Sequence, residues 1–371
     1  MLLDFDDIHA GNARDVLAAV PDAVCMALGS HAVRTPHPFA EWAADAPLRA
    51  AAYAAGQILS PRRGDEPQAA VIGRGLRTLD FGRALAAGLE AAARRRFDLQ
   101  AQHTAAVATV DVTRIGQPEP VGALDLSVPF EDVGDGLEYK ASMGALRDGE
   151  SITLTSLGRL IGVTRATVYN DDLGLIEDAI SATGVAAARH EARLVAAALE
   201  ANGNLTDGNP VFHADYGNLI ADAFGATGDG LAAAIAALRS MPAADGHALD
   251  AQAATVFCAP DLEYLATNFV SWLRGGQILL RPIAGPDFFS GAGLPPLSVQ
   301  VLAGLPAGRY FVSASPNVAR SIALARLDGQ NHPLTVEAVR TPISYDGQIL
   351  RVRIDTGAAM VGRLGIVKGG A

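Results

Sequence analysis

Few residues of this chain combine the types and spacing that chemistry requires. His213 and Asp215 lie two positions apart, and their imidazole and carboxylate are both ligands that divalent metal ions accept. No third ligand stands close by, and the alternative is a His and an Asp that order a loop by hydrogen bonding. We favour that alternative and predict no metal-binding residue.

Ser30 and His31 are the residue types of a serine protease, but they are neighbours in the chain. Adjacent side chains rarely point at each other, and the catalytic base normally comes from elsewhere in the fold. The sequence contains no phosphate-binding loop, no nucleophile elbow and no HExxH zinc motif. We therefore predict no catalytic residue, no cofactor-binding residue and no cofactor.

Two charged runs are better explained by helix ends than by chemistry. Asp171 and Asp172, with Asn170 before them, resemble an acidic catalytic pair, but a carboxylate at a helix start accepts backbone N–H bonds and complements the helix dipole. Arg94, Arg95 and Arg96 could contact a partner's acids or nucleic acid. A solvated last turn of a helix, where cations are favourable, is the simpler interpretation.

Composition narrows the class of protein. Of the 371 residues, 50% are hydrophobic and only 19% are charged, so a sizeable core is expected and neighbours could cover much of the surface. The net charge of −11 disfavours a dedicated nucleic-acid binder, which usually carries a basic face. The acidic N-terminus is unlike a signal peptide, and no long uncharged apolar run predicts a membrane span.

The elements that would position these residues are helical first and mixed later. Prolines break residues 1–78 into short helical pieces, and Ser60–Gln68 has the composition of a linker. Helical periodicity predicts a helix over Asp80–Gln100 with Asp80 as its N-cap, and alternation predicts a strand from Val107.

A long segment rich in Gly and Pro, residues 116–150, holds little that could form a core. Strand-like runs flank it, and an unstructured loop of this length inside a compact domain would be unusual. We interpret it as an extended two-stranded arm that packs on something outside its own subunit.

The second half of the chain predicts a mixed α and β fold. A strand over Ser156–Thr164 precedes a long helix from Leu173 whose apolar stripe includes Ile176, Ile180 and Leu199. Helices are predicted at Gly230–Ser240 and Asp261–Leu273, the latter capped by Asp261. Strands are predicted at Thr255–Ala259, Leu297–Leu302, Tyr310–Ser313, Ile322–Leu327, Leu334–Arg340, Leu350–Thr356 and Ala358–Val367. Asp328-Gly329 and Asp346-Gly347 are hairpin signals.

The stretch from Gly149 to Gly174, with its Asn-Asp-Asp-Leu-Gly block at 170–174, resembles the Mu-like major head subunit (gpT) family. That family also occurs fused to a ClpP-like prohead protease. This chain departs from the family pattern at Leu157, where an aromatic residue is usual, and at Ala166, where Gln is common. Further similar segments are Asp80-Phe81, Ala186–Leu199 with Glu191, Asp207-Gly208, Phe212-His213, Gly217–Leu219 and Ala259–Glu263.

The resemblance, which covers roughly residues 79–371, implies an α+β fold of the Hong Kong 97 capsid type. It implies an N-arm helix and first strand at 79–111 and an E-loop at 112–155. A P-domain would follow at 156–208, with its spine helix at 172–202. An A-domain would occupy 209–340, and strands at 341–371 would return to the P-domain sheet. Residues 1–78 carry no resemblance, and we expect a removable leader, a scaffold-like segment or an arm there.

The expected function is that of a major capsid protein of a tailed phage or prophage, which is not an enzyme. The implied partners are copies of itself in pentamers and hexamers, a portal, a scaffold, a prohead protease and packaged double-stranded DNA bound without sequence specificity. No membrane is involved, and assembly in the bacterial host cytoplasm would place the protein in the virion. Two alternatives stay open: an encapsulin-like compartment shell and, from another class, a hydrolase or protease remnant using Ser30 and His31.

Overall fold

The computed structural model describes residues 5–27, 35–63, 66–121, 150–225, 228–243, 247–273, 297–340 and 345–370. They divide into two compact units that the chain visits alternately. Unit 1 comprises Met1–Gln100, Ser156–Arg189 and Asn331–Asp355, and unit 2 comprises Ala101–Thr155, His190–Gln330 and Thr356–Ala371. Helices and strands occur in both, which confirms the predicted α+β class.

The α-helices are α1 Ala13–Ala27, α2 Ala40–Ala43, α3 Pro47–Leu59, α4 Gln68–Gly75, α5 Leu79–Gln100, α6 Arg165–Tyr169, α7 Leu173–Ala201, α8 Asp229–Ser240 and α9 Glu263–Leu273. The strands are β1 Ala108–Val112, β2 Pro118–Pro120, β3 Ser151–Thr153, β4 Thr155–Thr164, β5 Ala253–Cys258, β6 Ser298–Val301, β7 Tyr310–Ala314, β8 Ile322–Leu327, β9 Leu334–Val339, β10 Gly347–Met360 and β11 Ile366–Gly369. No described helix is long and apolar enough to cross a membrane.

Unit 1 places helices against a small part of a β-sheet. β9 pairs antiparallel with the first half of β10, from Ile349 opposite Val339 to Ile354 opposite Leu334. Helix α5 packs on β9, where Arg94 Nε donates to the Leu334 carbonyl at 3.1 Å. α1 packs against α5, and α3 packs against α4.

The described residues of unit 2 contain three strand groups, of which the pair β2 and β3 is the smallest. β8 pairs parallel with β1 and antiparallel with the last residues of β10. A second sheet has the order β11-β7-β5-β6, and α8 and α9 contact its strands. Buried aromatic and aliphatic side chains, among them Tyr310, Phe311 and Phe257, fill this unit.

The strongest sequence patterns are confirmed. The predicted helix at 80–100 is α5, and the predicted long helix at 172–202 is α7, Leu173–Ala201. The predicted strand Ser156–Thr164 is β4. Each pattern is long or strongly periodic, so local signals alone identify the element.

One turn prediction and the strand predictions near the C-terminus are wrong in detail. Asp328-Gly329 forms a turn, with Gly329 at φ 75°, but it makes no hairpin because β8 and β9 pair with different parts of β10. The two strands predicted at 350–367 are one strand, β10, followed by β11. β11 pairs antiparallel with β7 and not with a strand of the sheet that contains β10.

The described residues before Leu79 are more ordered than their composition suggests. Ser60–Gln68 is not an open linker in its described part, because α3 and α4 on either side of it pack together. Of the predicted arm, the two ends are described: β2 and β3 pair antiparallel, with Glu119 opposite Ile152. The remainder of the arm, residues 122–149, lies outside the described residues. The capsid-domain boundaries inferred from the resemblance stay predictions.

Candidate functional site

A group of polar and charged side chains in unit 2 surrounds Glu191 of α7, which is completely buried. Arg326 of β8 donates to the Glu191 carboxylate over 2.6 Å, and His103 lies 3.4 Å from the same oxygen. The Thr356 hydroxyl donates to the other oxygen at 3.3 Å and accepts from Arg326 at 3.1 Å. We call these four residues the Glu191 cluster. It joins a helix, two strands and the short turn at Gln102–Ala106.

The electrostatics of the Glu191 cluster favour a fixed ion pair. Burial alone would raise the pKa of Glu191, but the His103 hydrogen bond and the charge and hydrogen bond of Arg326 outweigh it. The net result is a pKa below the usual range, so the carboxylate is ionised at neutral pH. A buried charge whose hydrogen-bonding partners are in place rigidifies a core.

A second charged group ties the C-terminal strand to α7. The Glu200 carboxylate forms an ion pair with Arg309, whose Nε lies 3.1 Å away, and a second with the Lys368 ammonium at 3.4 Å. The Lys368 ammonium also lies 5.7 Å from the centroid of the Phe311 ring, a cation–π contact. Burial lowers the pKa of Lys368, and the nearby Glu200 carboxylate opposes that shift.

Between these groups, two asparagines hold the chain after α7 in place. Asn202 accepts from the Phe212 amide at 2.7 Å and donates to the Phe212 carbonyl at 3.1 Å. Asn218 is completely buried; it accepts from the His213 amide at 2.9 Å and donates to the Val211 carbonyl at 2.7 Å. Each amide side chain replaces a backbone partner, so the loop is fixed without regular secondary structure.

His213 and Asp215 take part in this loop as hydrogen-bonding groups. The His213 Nδ1 accepts from the Asp215 amide at 3.2 Å and starts a turn of 3₁₀ helix. Among the residues that the structure describes, no three His, Cys, Asp or Glu side chains group as a metal site would require. Nearby, Asp207 pairs with Arg363 at 2.7 Å, and the Arg363 guanidinium lies over the Tyr216 ring.

The remaining candidates lie in unit 1 or outside the described residues. Ser30 and His31 are among the residues that the structure does not describe. Arg94 pairs with Glu90 on the same helix, while Arg95 and Arg96 are exposed in the last turns of α5, as expected for a solvated helix end.

Asp171 is a helix cap, but not for the helix that follows it. Its carboxylate accepts from the Leu48 amide at 3.0 Å, at the start of α3, where the residue before the helix offers no side-chain cap. Desolvation raises the pKa of Asp171, and its hydrogen bonds to the α3 backbone oppose that shift. The sequence prediction of a capping carboxylate is therefore right in kind and wrong in partner.

The sequence singled out Glu191, Asp207, Phe212 and Asn218 only through their resemblance to a family pattern, and His213 also as a candidate metal ligand. The structure brings them together as supports of one loop and one buried ion pair. It adds partners that no pattern indicated: His103, Arg309, Arg326, Thr356, Arg363 and Lys368. A positively charged residue inside a strand, such as Arg326 between apolar neighbours, is the one signal that could have indicated a buried pair.

A scan against protein-family models matches residues 149–369, more than half of the chain, to a family described as phage capsid protein. The match spans Glu191, Glu200, Asn218 and Arg326, and so covers most of the charged groups described above. A search of curated proteins found no significant match.

A search of solved structures matches chains from phages, from a virus-like particle and from an encapsulin complex. A Microbacterium phage Oxtober96 chain is 13% identical, with 72% of this chain and 90% of that chain covered and a TM-score of 0.40. A virus-like particle from Pyrococcus furiosus gives 13% identity, 76% and 96% coverage and a TM-score of 0.45. The holo-SrpI encapsulin complex from Synechococcus elongatus PCC 7942 gives 12%, 71%, 84% and 0.42.

Proposed function

The chain belongs to the phage capsid protein family, and on that premise we propose that it is the major subunit that closes an icosahedral shell around double-stranded DNA. A capsid protein is a component of the virion shell, and its role is structural rather than enzymatic. The finer assignments concern the architecture, the assembly partners and the contents of the shell.

For the architecture, we propose the Hong Kong 97-type arrangement, with membership of the Mu-like head subunit branch. The long helix α7 then corresponds to the spine helix of the P-domain, and residues 112–155 correspond to the E-loop. The paired ends of that segment, β2 and β3, support a two-stranded arm, since Val121 donates to the Glu150 carbonyl at 2.7 Å.

The surface of β4 supports packing by neighbouring subunits. Most residues of this ten-residue strand are exposed, and it ends one path of strand pairing. Leu157 is 45% exposed and Leu160 is 62% exposed. An apolar strand left open to water is an aggregation risk for a monomer, whereas a shell subunit can bury it against a neighbour.

For partners, we propose pentamers and hexamers of this chain, together with a portal, a scaffold and a prohead protease. The net charge of −11 fits a wall that contains DNA without binding it tightly or by sequence. We propose assembly in the bacterial host cytoplasm.

The test is electron microscopy and light scattering of the purified protein. We expect closed shells or their pentamers and hexamers. A strictly monomeric species at high concentration would contradict the proposal. Shells from the native source that carry an enzyme instead of DNA would favour the encapsulin-like alternative.

A further inference from the structure

The described residues before Leu79 form a compact helical group, which we call the N-terminal layer: residues 5–27, 35–63 and 66–75. Two of its helices, α3 and α4, cross at glycines. A Cβ on Gly56 of α3 would collide with the Val71 carbonyl of α4, and one on Gly75 would collide with the Ala52 carbonyl. Such backbone contact requires the absence of a side chain, so the sequence is adapted to this crossing.

The N-terminal layer has its own core of buried side chains. Tyr53 and Leu48 of α3 are completely buried, and Tyr53 packs against the ring of Phe5 with centroids 5.6 Å apart. Gln57 is buried too, and its amide donates to the Ile8 carbonyl at 3.1 Å and to the Tyr53 hydroxyl at 3.3 Å. A buried polar side chain with its partners in place indicates one specific packing.

The N-terminal layer also docks closely on α5. A Cβ on Gly88 would lie 2.8 Å from the Val24 Cβ of α1 and 3.2 Å from the Pro21 carbonyl. α5 is thus shaped to receive α1, and removing α1 would open this contact to water.

Hydrogen bonds of Asp171 and Tyr169 fasten the layer to the segment around α6 and the start of α7. Asp171 caps α3 through the Leu48 amide at 3.0 Å, and it adopts φ 54° to do so. Tyr169 donates its hydroxyl proton to the Ala69 carbonyl at 2.5 Å. A non-glycine residue at positive φ has a strained backbone, and the cap and the surrounding packing stabilise this conformation of Asp171.

The segment that composition marks as a linker is tied down where it is described. Arg62 donates its amide to Gln57 at 2.8 Å and its Nε to the Glu66 carbonyl at 2.7 Å. Arg74 of α4 pairs with the Glu66 carboxylate and donates to the Ser60 carbonyl at 3.1 Å.

We propose that the N-terminal layer is a permanent part of the folded subunit, docked on α5 and anchored by the Asp171 cap, and not a leader that is lost at maturation. The docking of the layer is a property of the single subunit, whereas its retention at maturation rests on the proposed capsid function. Asp171 is a positioning residue in it, because it acts through the start of α3.

Hydrogen exchange on the unassembled subunit tests the docking. We expect the amides of α3 to be protected like those of α5. Asp171→Gly keeps the positive φ and removes the carboxylate, and α3 should then exchange about fivefold faster, the equivalent of a typical cap energy of ~1 kcal/mol. Asp250→Gly is the matched control, since Asp250 also has a positive φ, 46°, but lies exposed in unit 2.

Two results would overturn the inference. One is α3 exchanging like a free peptide in the wild-type subunit while α5 stays protected. The other is assembled particles built from a chain shortened by the layer instead of the full 38.3 kDa chain, as measured by intact mass. If no particles form at all, the capsid proposal fails, and the exchange experiment still decides whether the layer is docked.

Discussion

Arg326 donates a 2.6 Å hydrogen bond to Glu191, and both side chains are buried in unit 2. The pair connects strand β8 to helix α7, two elements 135 positions apart in the chain. Two charges taken out of water are costly unless their remaining hydrogen-bonding capacity is filled. Here the His103 ring and the Thr356 hydroxyl lie within hydrogen-bonding distance of Glu191 and fill much of that capacity.

Glu191→Gln should destabilise the subunit strongly, because it leaves the Arg326 charge buried without its counter-ion. Removal of one partner from a buried pair typically costs about 3–5 kcal/mol, and we expect the lower end because the Gln amide retains one acceptor. Chemical denaturation of the unassembled subunit measures the effect. Asp178→Asn, an exposed change on the same helix, should stay within ~0.5 kcal/mol. Equal stability of the two variants would contradict the role of the pair.

Acid should destabilise the protein through the same carboxylate. The folded state lowers the pKa of Glu191, so its contribution to stability is complete above the unfolded pKa of about 4.3 and is lost as the pH falls through the folded value. The pKa values of Asp207 and Glu337 are lowered as well, which gives the same sign. Denaturation curves between pH 7 and pH 3 should show stability falling below about pH 4. Glu191→Gln should fall less steeply, and parallel pH profiles would contradict this assignment.

The long elements were predictable from sequence because their signals are local. α5 and α7 each carry an apolar stripe over many turns, which a single misplaced residue does not obscure. Caps were not predictable in the same way. Thr78, not Asp80, accepts from the Phe81 amide at the start of α5, and Asp261 accepts from the Gly308 amide rather than capping α9. A short carboxylate side chain can satisfy any nearby amide, and the tertiary fold decides which one is near.

The ion pairs of unit 2 could not be predicted from the sequence either. Glu191 is 88 positions from His103 and 135 from Arg326, so no spacing rule could join the three. The sequence could not show that the connection at Ser60–Gln68 is tight rather than open. Its turn formers and charges suit a tight, hydrogen-bonded connection as well as an open one. Composition identifies a break between helices, and only packing shows that the helices on either side are in contact.

The arm can be removed with little risk to the subunit if the cut follows the structure. A deletion of 117–147 would remove β2 and the buried Val121, which packs with Ile152 and Leu154. The Val121 amide lies 2.7 Å from the Glu150 carbonyl, so residues 122–149 can be replaced by an Asn-Gly turn that closes a hairpin. We expect this variant to keep its circular dichroism spectrum and its unfolding midpoint but to form no closed shells by microscopy.

The two deletions control each other. The deletion of 117–147 should lower stability as well as abolish shells, because it opens the apolar cluster beneath β2 and β3. Normal shells from the Asn-Gly variant would show that the segment is no assembly arm. Loss of the folded subunit in that variant would show that residues 122–149 belong to its core.

Glu200 and its cations Arg309 and Lys368 form one charged group. Loss of the Lys368 cation should lower the stability of the subunit less than loss of the Glu200 carboxylate. Lys368→Met removes one cation and leaves Glu200 paired with Arg309 at 3.1 Å, and the Met side chain can still pack on Phe212 and Phe311. We expect a change below about 1 kcal/mol, since an apolar side chain often replaces a largely buried charge at little cost.

Glu200→Gln instead leaves Arg309 and Lys368 close together without a counter-charge. We expect a loss of about 2 kcal/mol, reduced from the fully buried case because Glu200 is 30% exposed. Denaturant titrations of both variants at low and high salt measure the difference. It should narrow at high salt, because the repulsion between the two cations is partly screened, and a larger loss for Lys368→Met than for Glu200→Gln would contradict the assignment.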